Sequence, residues 1–165
     1  MRGLHGFDLR MQVNGQPVEL EVGYHELLID VLRDRLGLTG TKRSCDMEVC
    51  GVCTVLLDGQ MVSGCTTLAW EARDKNVETI EGLAEGDKLH PIQEAFIEHN
   101  GFQCGFCTPG MILSTKALLA EYPQPDKATI QWYLHGNLCR CTGYKKIIAS
   151  VQAAAQAQAQ TAGAD

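Results

Sequence analysis

The sequence predicts an α+β chain: a β-grasp sheet built around one helix, followed by a bundle of four short helices. Three observations predict it. Period-two alternation of apolar and polar residues fills the first stretch of the chain. Helical spacing and helix-capping residues dominate the second half. Eight cysteines fall into two spaced sets of four, one set in each half, with none left over.

Phe7-Asp8-Leu9-Arg10-Met11-Gln12-Val13 alternates strictly, as a half-buried strand does. Asn14-Gly15 makes the turn, and Val18, Leu20 and Val22 resume the alternation, so the two runs form a hairpin. Leu27, Leu28, Val31, Leu32 and Leu36 follow helical spacing, and Gly37 closes that helix. After a cysteine-rich loop, Thr54 to Leu57 reads as a strand. Asp58-Gly59 turns it back through Met61-Val62 towards Cys65, and Val77 to Ile80 reads as one more short strand.

Pro91 suits a first helical position, with His90 before it helping to start the helix. Ile92, Ala95, Phe96 and His99 share one face, and Asn100-Gly101 stops that helix. Thr108-Pro109 reads as a cap followed by a helix-starting proline. Ile112, Leu113, Ala117 and Leu118 lie on the helix behind it, which ends before Pro123. Asp126 caps a third helix through Ile130 and Leu134, closed by Gly136. Thr142 is the expected cap of a fourth, with Ile147, Ile148 and Val151 inward. From Ala153 onward the chain is Ala/Gln-rich, and fraying or disorder is expected there.

The cysteine sets divide the chain into an expected domain over 1–82, a second over 83–152 and a tail over 153–165. Halves this small bury a limited core and gain from a staple, which a bound metal can supply. Hydrophobic residues make up 45%, so the chain is globular rather than disordered. The net charge is −6, and the densest basic spots, Lys42-Arg43 and Lys145-Lys146, are too small for a nucleic-acid face. No apolar run approaches the ~18 residues of a membrane helix. Arg2, Asp8 and Arg10 punctuate a start without an apolar core, so neither a signal peptide nor a twin-arginine leader is expected. Thiols kept free for metal fit a reducing compartment, and the cytoplasm is the expected location.

The first set is Cys45-x4-Cys50-x2-Cys53, with Cys65 arriving from the next hairpin. This is the spacing of a plant-type 2Fe–2S ferredoxin. Gly51 allows a tight loop that brings amide N–H groups towards the sulfurs, and those donors offset the negative charge of a thiolate-ligated cluster. A four-cysteine zinc site usually uses two separate paired hooks, which this overlapping loop is not. The second set is Cys104-x2-Cys107 with Cys139-x-Cys141. Each pair precedes an expected helix N-terminus, where dipole and free N–H groups favour negative charge. On spacing alone this set can hold zinc or an iron–sulfur cluster, and its neighbour favours the latter. A thioredoxin-like role for Cys104 and Cys107 would leave Cys139 and Cys141 unexplained.

Gln103-Cys104-Gly105-Phe106-Cys107-Thr108-Pro109-Gly110-Met111 and Gly136-Asn137-Leu138-Cys139-Arg140-Cys141-Thr142-Gly143-Tyr144 resemble the small iron–sulfur subunits of the xanthine oxidase, or molybdenum hydroxylase, family. So do Cys50-Gly51-Val52-Cys53-Thr54-Val55-Leu56 with Asp58-Gly59, and Thr79-Ile80-Glu81-Gly82-Leu83. The family includes carbon monoxide dehydrogenases, 4-hydroxybenzoyl-CoA reductases and aldehyde oxidoreductases. The resemblance covers about Phe7 to Val151. It implies a plant-type ferredoxin β-grasp domain followed by a four-helix domain, with two 2Fe–2S clusters. It implies a large partner subunit carrying molybdopterin, a medium one carrying FAD, and a dimer of heterotrimers. Electrons would leave molybdenum, pass the helical-domain cluster and then the ferredoxin-type cluster, and reach FAD. It also implies that Gln103 and Cys141 approach the partner's pterin. Two positions depart from the family's commonest pattern: Ser44 and Glu48 stand where glycine is usual. Glycine there often marks positive φ, which Glu tolerates poorly, and a carboxylate beside a cluster disfavours its reduction.

His5, His25, His90, His99 and His135 are scattered, and none is needed as a ligand. Gly37-Leu38-Thr39-Gly40-Thr41-Lys42 lacks the spacing of a phosphate loop. No nucleophile–base pair and no dinucleotide fingerprint is visible, so substrate chemistry is expected on another chain. Trp70, Phe96, Phe106, Trp132 and Tyr144 are candidate aromatic anchors for partners. The rival readings are a zinc-bound interaction scaffold and a free-standing two-cluster ferredoxin.

Overall fold

Strict alternation yields the first hairpin with the expected faces. In the computed structural model, which describes residues 6–162, β1 (Phe7–Val13) pairs antiparallel with β2 (Gln16–Val22), placing Leu9 opposite Leu20. Leu9, Met11 and Val13 are buried while Asp8, Arg10 and Gln12 face outward. Asn14 and Gly15 both take positive φ, 53° and 75°, which suits the right-handed twist of a tight hairpin. The second hairpin joins β3 (Thr54–Leu57) to β4 (Gln60–Ser63). A short strand, β5 (Asn76–Glu78), runs parallel to β1 and antiparallel to β3. The mixed sheet has the order β2-β1-β5-β3-β4.

Leu28, Val31 and Leu32 bring α1 (Leu28–Asp30) onto this sheet, and α1 runs directly into a π-helical turn, Val31–Arg35. The wide turn was not foreseen from an α-helical spacing. It ends as expected at Leu36 and Gly37, the latter at φ 71°. Together with Leu9, Val55, Leu57 and Val77 these side chains form one hydrophobic cluster. A larger cluster joins α2 (Pro91–Glu98), α3 (Thr108–Glu121), α4 (Lys127–Tyr133) and α5 (Lys145–Ala162) through Phe96, Met111, Leu118, Ile130, Ile147 and Val151. Strand β3 belongs to both: Val55 and Leu57 point into the sheet core, and Leu56 points into the helical one. All four of its residues are buried for that reason. Glu78 on β5 also pairs with Lys116 on α3, a further tie between sheet and helices.

Local side-chain capping starts α2 and α4. His90 precedes Pro91; its Nδ1 accepts the amide of Ile92 at 3.2 Å, and Gln93 returns a bond to the His90 amide. Asp126 accepts the amide of Thr129 at 2.7 Å. Other expectations are corrected. Thr108 lies within α3 rather than capping it: Cys107 occupies the cap position, and the Thr108 hydroxyl is buried with no hydrogen-bond partner among the described residues. Thr142 sits three residues before α5, where its hydroxyl accepts the amide of Tyr144 instead. His99 caps the C-terminal end of α2 and is exposed rather than inward. The strand expected over Val77 to Ile80 ends at Glu78, because Asn14 takes the Thr79 amide and a 3-10 turn follows over Ile80–Gly82. The Ala/Gln-rich segment does not fray at Ala153: α5 continues to Ala162, with Ala154 and Ala155 buried. Arg2, His5 and residues 163–165 lie outside the described residues. No helix in the described residues is long and apolar enough to cross a membrane.

Candidate metal centres

The fold gathers the eight thiols into two groups of four, along the division expected from their spacing. In the first group the Cys45 side chain pairs with Cys50, and Cys53 with Cys65, while Cys53 also feels Cys50. In the second, the sulfurs of Cys104 and Cys141 lie 3.7 Å apart, Cys107 pairs with Cys139, and charge interactions link the two pairs. A separation of 3.7 Å is about the edge of a tetrahedron with ~2.3 Å metal–sulfur bonds. None of the eight forms a disulfide. Among the described residues no three or more His, Cys, Asp or Glu side chains are arranged to hold one metal ion. The sulfur contacts run largely two by two within each group, which is compatible with a binuclear cluster.

Short-range chemistry shapes the first loop. Asp46 and Glu48 take positive φ, 53° and 59°, and Gly51 follows at 67°. These reversals turn the amides of Met47, Val49 and Cys50 onto the Cys45 sulfur and hold its thiol low, at about 6. Thr54 pins the loop's exit by donating its hydroxyl to Gly51 O at 2.7 Å. Cys65 is delivered after Gly64, whose carbonyl accepts the amide of Ile29 at the start of α1. Burial against Ile29 and Leu27 pushes the Cys53 thiol up to about 12.

In the second group, Cys107 caps α3 directly, and burial likewise pushes its thiol up to about 12. Cys139 and Cys141 precede α5 by several residues, so the expected second helix terminus does not meet them. Burial would raise the Cys139 thiol, but bonds from the Thr142 hydroxyl, at 3.2 Å, and from nearby amides leave it below its ordinary value. The Cys141 thiol is raised by its contact with Cys104. A metal supplies what the buried members lack: it holds a thiolate that burial alone would protonate. The donor set therefore fits a thiolate-ligated cluster at both places.

The groups differ in access. Cys50, Cys53 and Cys65 are buried, whereas Cys104 and Cys141 are exposed, beside exposed Gln103 and Arg140. Of the candidate anchors, Phe96 is core, Tyr144 is half-buried, and Trp70, Phe106 and Trp132 are exposed.

Leu138, Asn137, Ser114 and Tyr144 join the two groups. The amide of Leu138 donates to Cys50 O at 2.8 Å. Asn137 Nδ2 donates to Gly51 O at 3.0 Å and reaches Thr54 Oγ1, and Ser114 donates to Asn137 Oδ1. The Tyr144 hydroxyl accepts the Cys139 amide at 2.9 Å and donates to Asn137 O. Only a close backbone approach permits this joint: a Cβ on Gly51 would meet Gly136 O at 2.5 Å, and one on Gly110 would meet Gly51 O at 2.5 Å.

Comparison with known proteins agrees with these groups. Residues 11–84 match the family described as "2Fe-2S iron-sulfur cluster binding domain", and residues 79–152 match "[2Fe-2S] binding domain". The chain is 44% identical over 144 residues to "Nicotine 6-hydroxylase small subunit" of Paenarthrobacter nicotinovorans, covering 87% of this chain and 87% of that one. It is 42% identical to "Aldehyde oxidoreductase iron-sulfur-binding subunit PaoA" of Escherichia coli (strain K12), covering 89% and 71%. The crystal structure of quinoline 2-oxidoreductase from Pseudomonas putida 86 superposes with a TM-score of 0.90 at 42% identity, covering 94% of this chain and 98% of that one. The likeness supports a ferredoxin-like α+β fold with two 2Fe–2S-binding domains, and favours neither the zinc scaffold nor the free-standing ferredoxin.

Proposed function

The chain belongs to the electron-transferring iron–sulfur subunits of the xanthine oxidase, or molybdenum hydroxylase, family, and from that membership we propose which residues form the relay and what adjoins it. Cys45, Cys50, Cys53 and Cys65 hold one 2Fe–2S cluster, and Cys104, Cys107, Cys139 and Cys141 the other. The two-by-two pairing supports Cys45 with Cys50, and Cys53 with Cys65, as the residue pairs that would hold the first. Cys104 with Cys141 and Cys107 with Cys139 serve the second. Bound there, the clusters supply reversible one-electron storage. The chain's own residues do the rest: they donate hydrogen bonds to sulfur, keep water from the first site, and fix the spacing between sites.

The observation that carries this reading is the bond from the Leu138 amide to Cys50 O, which joins the two cysteine groups through backbone. The exposed second site faces a large partner carrying molybdopterin, with Gln103 and Cys141 nearest the pterin. The first site passes electrons to a medium partner carrying FAD, within a cytoplasmic dimer of heterotrimers. The domains divide as 1–82, a β-grasp unit, and 83–152, a four-helix bundle. The separate hydrophobic clusters support this division, although β3 serves both.

The test is metal analysis and EPR of the native complex. Two distinct reduced-state signals, about four irons per chain and a co-purifying pterin are expected. Cys104→Ser removes the second signal alone. Zinc in place of iron, or a chain that purifies as a free monomer, overturns the proposal.

A further inference from the structure

We propose that Glu48, tethered by Thr66, lowers the reduction potential of the first site; this rests on the reading that Cys45, Cys50, Cys53 and Cys65 hold a cluster there. Glu48 lies between two of those cysteines at φ 59°, a conformation that favours glycine. Its backbone thereby serves the amides of Val49 and Cys50, which donate to the Cys45 sulfur.

The side chain is held as well. Thr66, the residue after Cys65, has its Oγ1 3.2 Å from Glu48 Oε2. The same hydroxyl is 3.2 Å from Ser63 O, so its one proton is shared between the two acceptors. The tether spans from the loop carrying three of the cysteines to the turn delivering the fourth. It ties the exposed carboxylate to the turn that delivers Cys65 and so limits where the charge can go.

Nothing nearby cancels the charge. Arg43, the closest cation in sequence, is engaged by Asp30 and Asp46, and Lys42, the next, donates to Thr39 O. Among the described residues no cation pairs with Glu48. Adding an electron beside a fixed, unpaired negative charge is disfavoured, and net charge and hydrogen bonds to sulfur are what set the potentials of such sites. Glu48 is exposed, so solvent screens it in part, and the effect is about threefold to tenfold in the ratio of reduced to oxidised site.

EPR-monitored redox titration of the purified complex tests this, because it resolves the two sites. Glu48→Gln keeps the acceptor for Thr66 and removes the charge. Its first site is expected to titrate at a higher potential, by that threefold to tenfold ratio, up to ~59 mV for a one-electron couple. The second site stays where it was. Thr66→Val frees the charge without removing it and gives a smaller rise. Glu48→Gly, relieved of the positive φ, follows Glu48→Gln. An unchanged first-site potential in Glu48→Gln, with both signals intact, overturns the inference. If Glu48→Gln loses its iron, Thr66→Val decides, and no rise in that variant overturns it. Absence of the first signal from the unsubstituted protein would instead overturn the ligand assignment itself.

Discussion

The carbonyl of Cys50 accepts the amide of Leu138 across 88 residues of sequence, at 2.8 Å. Leu138 is bonded to Cys139, so one hydrogen bond and one peptide unit separate the backbones of the two cysteine groups. Around this joint stand Asn137, Gly51, Thr54 and Ser114, all buried. Buried polar groups of this kind are costly to leave half-satisfied, so the joint is either complete or a weak point.

Asn137→Ala tests its contribution. The substitution strands the Ser114 hydroxyl, which is fully buried, and takes a donor from Gly51 O. Leaving buried groups unpaired costs about 1–3 kcal/mol. An apparent melting midpoint lower by roughly 2–12 °C is expected for a chain of this size. Asn137→Asp is expected to be worse, since a carboxylate oxygen would face Gly51 O with no proton between them. A midpoint for Asn137→Asp above that of Asn137→Ala would refute the assignment.

Tyr144 is held at φ 65°, an outlier for a bulky residue, and its hydroxyl links Cys139 N to Asn137 O. Tyr144→Phe keeps the ring and loses both bonds, at about 0.5–1.5 kcal/mol each. The EPR signal of the second site should move while that of the first does not. Equal movement of both would mean the hydroxyl acts on the whole fold rather than on Cys139.

The sequence made the local features legible and left the long-range ones silent. β1 emerged with its expected bounds because period two is a property of neighbouring residues, and the Asn14-Gly15 turn carries its own conformational signal. Both cysteine groups were legible for the same reason: three members of the first lie in one loop, and the second is two closely spaced pairs. The positive φ at Glu48 was legible as a glycine-like position occupied by another residue. The pairing of Leu138 with Cys50 was not, because no spacing rule links residues so far apart. Thr142 was misplaced because a hydroxyl before a helical pattern reads as a cap, whereas here it serves Cys139 and the Tyr144 amide. The π turn after α1 escaped because Leu28, Val31 and Leu32 satisfy α and π periods equally over so few residues.

His90 gives the fold a pH dependence. Burial holds its imidazole below the ordinary value, the Lys116 charge acts the same way, and Glu78, Glu85 and Glu94 oppose them. The folded state prefers the neutral ring, the form that accepts the Ile92 amide at the start of α2. As pH falls, the unfolded chain takes up this proton first. The contribution is therefore complete above about pH 6.5 and is lost as pH drops towards the depressed folded value. His90→Asn, a cap that does not titrate, should flatten the dependence of the unfolding midpoint between pH 6.5 and 5. An unaltered slope in that variant would place the acid sensitivity elsewhere.

The C-terminal extension of α5 is the largest departure from expectation, and it makes the sharpest stability prediction. Composition read the Ala/Gln run as low complexity, yet alanine has the best helix propensity and a methyl small enough to pack closely. Ala154 and Ala155 are buried in the helical core, and Gln124 Nε2 donates to Ala155 O at 3.1 Å, tying the segment to the connection between α3 and α4. Two buried methyls and one hydrogen bond amount to about 2–3 kcal/mol. Ending the chain after Gln152 should lower the apparent melting midpoint by roughly 4–12 °C. The loss should fall first on the half of the chain that carries Cys104 to Cys141, so iron should be released from the second site at lower temperature than from the first. Gln124→Ala should reproduce a part of the loss and Gln156→Ala, at an exposed position on the same helix, none of it. A truncated chain that melts with the full-length one would show that the extension packs without stabilising.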